Sequence, residues 1–476
     1  MSTRNILCAT LCLFVLVGLF AQLQTTAQAQ EELSMKEWNN RIRQEKFAVV
    51  LPQVMREYNV DMWIHVMRVG IPDSFGAENF GSTSGVFVFT DRGGDRIERA
   101  VLGRRWGASQ RERREQSNLV EESGVYDIIA DPVFVGEPLS SPMTEYDYRF
   151  KGLREFVETR DPKRIAVNYR ETLGTWPTSA SSRTNDGISH IDYLLLTKEL
   201  GDEYADRLVS SEYLIMGYGT TPVSTEIQLL KKLRRDEVER VEKALAEVVP
   251  GVTKSRDAGL TTFRRMRTGQ SQRGRSAGWE NSIVQGGDIL AAPSQGIYAY
   301  VLREGETEPP PEIKKLWAEY LKIKKILVET IKAGVPSREI IQNYKRRYEE
   351  EGIIVRDAQL HMVQPKNDFP VYAAGYDPEK THLSIDCHGK GKSSQARKHD
   401  IYMGPRIGSY GPDWTHDIPL APNHHFVLEY FFYMPSPTSN KDEDQYLFWW
   451  DHEQAIATES GVEYLYPLQE ELHLIR

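Results

Sequence analysis

Nine of the eleven histidines lie at or beyond His361, in runs where His, Asp and Glu alternate with apolar residues. Imidazole titrates near neutrality and is a common metal ligand, so this third of the chain is suited to proton transfer or metal binding. The interleaving reads as the lining of a β-rich cavity. Aromatic residues gather in the same region, at Tyr430-Phe431-Phe432-Tyr433 and Phe448-Trp449-Trp450. They read either as the wall of a peptide groove or as core. No G-x-S-x-G elbow is present. Cys387 and His388 are sequence neighbours, a poor arrangement for a nucleophile and its base. Arg104–Arg114 carries five arginines and reads as a solvated loop or helix face before it reads as an anion site.

The elements that must position these residues are legible in outline. Apolar residues at three- and four-residue steps (Leu51, Val54, Met55, Tyr58) predict a helix from Trp38 to Val60. Met62–Met67, the Gly81–Thr90 stretch and Arg164–Asn168 read as strands. Helix and strand patterns that alternate in this way predict an α/β fold. A boundary falls near Gly217–Pro222, followed by a charged helix from Thr225 to Ala246 that Pro250-Gly251 stops. A second helix is predicted from Glu312 to Lys332. Its stripe of Leu316, Tyr320, Ile323, Leu327 and Ile331 is a core face. Gly334-Val335-Pro336-Ser337 is expected to end that helix and cap the next.

The chain has 476 residues, a net charge of −9, 40% hydrophobic and 27% charged residues. That excludes intrinsic disorder and a multi-span membrane protein. The acidic balance argues against a nucleic-acid partner. Arg4 is the only charge before Glu31; an apolar run from Ile6 to Ala21 follows it, and then Ala27-Gln28-Ala29. These are the parts of a secretory leader, with an apolar run shorter than the roughly 20 residues that span a bilayer. The expected layout is a leader over 1–29, a first domain over 30–220 and a second over 221–476. The mature chain is then exported, periplasmic or secreted, with no membrane segment and Cys387 as its lone thiol.

Several pieces, in order, resemble the creatinase, aminopeptidase P and methionine aminopeptidase family. They are Val60-Asp61-Met62-Trp63, the Leu229–Ala244 helix, Val249-Pro250-Gly251-Val252-Thr253 and Gly287-Asp288-Ile289-Leu290. Tyr300–Glu306, Gly404-Pro405-Arg406-Ile407-Gly408 and Thr458–Leu465 complete the set. The resemblance implies a creatinase-type α/β domain followed by a pita-bread domain, and a homodimer. It also implies two divalent metals held by two Asp, one His and two Glu, which bind a hydroxide between them.

The same resemblance shows what this chain has changed. The first aspartate belongs three or four residues after the Gly287–Leu290 strand and the second about ten residues later, yet the stretch between Leu290 and Tyr300 is too short for both and contains no Asp or Glu. His388, in His388-Gly389-Lys390-Gly391, matches the metal histidine, with Lys390 where an apolar residue is usual. His399-Asp400 resembles the substrate-side pair, displaced by four residues. Glu429 matches the first metal glutamate. The second falls on His452, with Glu453 beside it, and a one-residue slip turns a strand side chain to the opposite face. The candidate metal ligands are therefore His388, Glu429, His452 and Glu453, an incomplete set, and the candidate proton-transfer residues are His399 and His388. No cofactor is expected, with a single zinc or manganese ion as the alternative. The function implied is that of a pseudo-peptidase that binds a peptide or small molecule. A metal-free or one-metal hydrolase of C–N bonds and a residual Xaa-Pro aminopeptidase are the alternatives.

Overall fold

The computed structural model describes residues 33–67, 73–82, 84–102, 120–130, 150, 152–173, 187–263, 265–267, 283–356, 377, 379–390, 404–408, 413–435 and 445–476. The predicted leader, the Arg104–Arg114 run and His399 lie outside them. The fold is mixed α/β.

Helices α1 (Met35–Ala48) and α2 (Val50–Glu57) replace the single helix predicted over this stretch. The break is at Val49, three residues before Pro52. A proline ring clashes with the carbonyl four residues back and supplies no N–H, so one straight helix cannot run through it. Ser34 and Glu37 form a reciprocal capping box at the start of α1.

Strands β1 (Met62–Met67), β2 (Gly85–Asp91), β3 (Ile97–Leu102), β4 (Ile128–Ala130), β5 (Ile165–Val167) and β6 (Leu208–Ser210) form one sheet in the order β4-β3-β2-β1-β5-β6. It is mixed: β1–β2 and β2–β3 are antiparallel, while β1–β5, β3–β4 and β5–β6 are parallel. Helix α3 (Ser74–Phe80) follows β1, α4 (Leu153–Glu158) and α5 (His190–Ala205) lie between the later strands, and α6 (Glu212–Thr220) follows β6. Helices cover both faces, which is why β1 reads as an unbroken apolar run. Met62, Ile64 and Val66 meet Leu153, Val157, Leu196 and Leu200 on one side. Trp63 and Met67 meet Phe47, Leu51, Val54 and Leu214 on the other. His65 lies among those aromatic residues, its Nε2 2.6 Å from Asp73 Oδ2.

Helix α7 (Ser224–Ala246) leads out of this layer. Beyond it, β7 (Thr261–Phe263), β9 (Ile289–Ala292), β10 (Ile297–Val301) and β17 (His473–Ile475) form a four-stranded sheet. Strands β8 (Arg265–Arg267), β11 (Ile354–Arg356), β12 (His382–Gly389), β13 (Ile407–Gly408), β14 (His425–Pro435), β15 (Gln445–Thr458) and β16 (Gly461–Tyr464) form a seven-stranded one. Helices α8 (Pro311–Thr330) and α9 (Ser337–Glu350) pack on the seven-stranded sheet, and α10 (Trp414–Asp417) is a single turn. The stripe predicted on α8 is core. Ser337 is the first residue of α9 and makes no capping bond; Pro336 precedes it as the cap residue.

Burial on its own would raise the Asp73 carboxyl, but the charge and hydrogen bond of His65, with the Gly76 and Phe75 amides, more than offset this. The carboxyl is held below the usual aspartate range of about 3.9. Its contribution to stability is therefore complete at neutral pH and is lost as pH falls through that range. Asp73→Asn is expected to lower the urea midpoint at pH 7, and the gap to the parent should narrow below about pH 4. A gap independent of pH would show that the ionised carboxylate contributes nothing.

Candidate metal and ligand site

The site is built on three neighbouring antiparallel strands. Alternation along β12, β14 and β15 sends Leu383, Ile385 and Cys387, then Leu428, Tyr430 and Phe432, then Ala455 and Ala457, toward α8 and α9. Tyr430 and Phe432 are thus core, their rings stacked at 5.3 Å. The opposite parity carries Asp386 and His388 on β12, Glu429 on β14 and His452 on β15. Glu429 lies directly across from His452, and His388 across from Val427, two residues along β14.

This register brings three of the sequence-predicted residues together. His388 Nε2 is 3.3 Å from Glu429 Oε2, and the His388 and His452 rings are 5.6 Å apart. One ligand atom from each of the three lies within 4.8 Å of the other two. His388 and Glu429 are buried, His452 half-buried. His388 Nδ1 is 2.9 Å from the Gly389 carbonyl, which can only accept, so Nδ1 carries a proton. Nε2 faces the Glu429 carboxylate and has no hydrogen-bond partner among the described residues.

Glu453 is not part of this group. It faces the other way, opposite Leu428, and forms an ion pair with Lys324 of α8. Lys324 Nζ also lies 3.1 Å from Asp451 Oδ2, to which Tyr320 donates at 2.6 Å. Burial, then the Asp451 charge, push the Glu453 carboxyl up to about 7. Gly296 closes over it at φ 62°, where a Cβ would fall 1.9 Å from Glu453 Oε1. Asp386 shares the parity of His388, but the Arg406 guanidinium binds both its oxygens. Burial raises the Asp386 carboxyl despite that partner. Burial lowers the Lys390 pKa, and the charge of Glu237 on α7 opposes that shift.

The segment that lacks both aspartates is a closed hairpin. Ala292 pairs with Ile297 and Leu290 with Ala299 around the Pro293–Gly296 turn, with no gap left for the missing length. Arg234 of α7 donates to the Ser294 carbonyl and holds that turn.

A bridged metal pair does not fit these residues. Two divalent ions bring four positive charges, and Glu429 is the one carboxylate among the described residues that shares the group with His388 and His452. Uncompensated charge of that size in a buried site is prohibitive. The sequence reading missed Lys324, Asp386, Asp451 and Arg406. Two signals pointed to them: a lysine inside the apolar stripe of α8, and an acid two residues before His388 on a strand.

No family model matches the chain, and no curated protein does. Solved structures do. The chain is similar to the X-Pro aminopeptidase from Thermotoga maritima MSB8, at 14% identity and a TM-score of 0.49, over 89% of this chain and 100% of that one. It is similar to the Xaa-Pro dipeptidase from Bacillus anthracis at 15% identity and 0.48, over 91% of this chain and 100% of that one. A dipeptidase from Mycobacterium ulcerans follows at 12% and 0.48, over 92% and 98%.

Removal of the Lys324 ammonium leaves two carboxylates facing each other in the core, a change that costs about 3–5 kcal/mol. Lys324→Met should lower unfolding stability by that order. Adding Glu453→Gln to it should recover part of the loss. Equal losses in the single and double variants would show that Glu453 is not the partner that matters.

Proposed function

We propose that the protein is an exported, peptidase-like binding protein that takes a peptide or small molecule at the β12–β14–β15 face and does not hydrolyse it through a metal pair. One observation carries this reading. Besides Glu429, the described carboxylates on these strands are engaged, Asp386 by Arg406 and Asp451 and Glu453 by Lys324, and the 289–301 hairpin has none to offer. The sequence resemblance supplies the peptidase-like scaffold and the expectation of a homodimer, and the Arg4–Ala29 pattern supplies export. No helix among the described residues is long and apolar enough to cross a membrane.

A second reading draws on the bare Nε2 of His388 beside Glu429. An imidazole oriented by its Nδ1 bond to the Gly389 carbonyl presents Nε2 for proton transfer. With His399 it would serve a metal-free or one-metal hydrolysis of a C–N bond.

The test uses the purified mature chain and a panel of Xaa-Pro dipeptides, with manganese, with zinc and with chelator. Release of the N-terminal residue is followed by chromatography, and peptide retention by calorimetry. Retention without release is the expected result. Release that needs two metal equivalents overturns the proposal. Release that survives chelator and disappears in His388→Ala transfers it to the second reading.

A further inference from the structure

We infer that His388, Glu429 and His452 form a mononuclear site for a nitrogen-preferring divalent ion, zinc before manganese. The inference rests on the reading above that a bridged pair is absent. It adds which ion replaces the pair and how many.

Three observations converge. The donor atoms come from adjacent strands in fixed register and lie within 4.8 Å of one another. The His388 ring is oriented by its Nδ1–H bond to the Gly389 carbonyl, the arrangement that fixes the tautomer of a metal-bound imidazole and turns the other nitrogen to the ion. That nitrogen is buried, lacks a hydrogen-bond partner among the described residues and faces a carboxylate oxygen at 3.3 Å. Two donor atoms at that distance, neither held by a hydrogen bond to the other, can both reach one ion.

The charge and donor types then select the ion. One carboxylate against one divalent ion leaves a single positive charge, a load that a site with an open position can share with a bound anion or water. Two imidazole nitrogens and one carboxylate suit zinc, copper, iron or nickel, whereas manganese and magnesium prefer oxygen-rich sets. Three protein ligands with a fourth position open is the arrangement of reactive zinc sites, so the same ion would present that position to a carboxylate or amide of the bound peptide.

The experiment is metal competition on the full mature chain. The protein is stripped with chelator, incubated with equimolar zinc and manganese, desalted and analysed for both elements. Cobalt substitution supplies a visible spectrum independent of any activity. One equivalent of zinc and almost no manganese are expected, with a four-coordinate cobalt spectrum. His452→Ala, at a half-buried position, should weaken zinc by more than the roughly 100-fold that loss of an outer partner costs. His452→Glu should move the preference toward manganese. Zinc retained equally by His452→Ala, or no metal retained by the folded parent, overturns the inference. Either result leaves the binding-protein reading intact if peptides are still retained uncut. Conversely, one zinc with Xaa-Pro cleavage sinks that reading and keeps this one.

Discussion

The pairing of Glu429 with His452 across β14 and β15 constrains every other group near the site. Once that pair is in register, alternation leaves Asp451 and Glu453 no choice but the opposite face, where α8 lies. Two acids on a buried face need a cation, and Lys324 is the residue of α8 that reaches them. The same register places Asp386 beside Glu429, and Arg406, just before β13, neutralises it. Without these two counter-ions the sheet would carry uncompensated buried negative charge, a cost of several kcal/mol per ion.

The result is a division of labour between two sides of one sheet. On the side of α8 and α9, charges are closed into ion pairs and tyrosine contacts, and they tie strand to helix. On the other side, Glu429 and two imidazoles stand together, with a His388 ring nitrogen that has no hydrogen-bond partner among the described residues. Closed networks stabilise and specify; an open donor set is available to a ligand. Gly296 belongs to the closed side. Its left-handed backbone and missing side chain let the hairpin turn press on Glu453 and keep it there.

Helix α7 connects this arrangement to the first sheet. Its first two N–H groups have no acceptor within the helix, and both donate to the Glu45 carboxylate of α1, at 3.1 and 3.0 Å. Lys46 of α1 donates to the Tyr218 carbonyl and pairs with Glu226 of α7 at 3.2 Å. Further along, Arg234 of the same helix holds the hairpin turn. One rigid helix thus carries contacts from the N-terminal layer to the turn that shields Glu453.

Local pattern was enough for much of this. The amphipathic stripes gave α7 and α8, continuous apolar runs gave β1 and β5, and period-two alternation warned that His452 and Glu453 face opposite ways. Those are properties of residues close in the chain, where side-chain spacing alone decides the face. The absence of any acid between Ile289 and Val301 was equally plain. What local pattern could not reach are contacts between distant segments. Pro52 broke a helix whose apolar period continued past it. Lys324 and Glu453 are 129 residues apart, and Asp386 and Arg406 are 20 apart, brought together by a β12–β13 pairing that no short window reveals. Whether an acid is a free ligand or a neutralised partner depends on which cation folds against it. Sequence therefore determined the elements and the candidate ligands, and tertiary packing decided which of them remain available, because a buried charge takes its role from its nearest counter-ion.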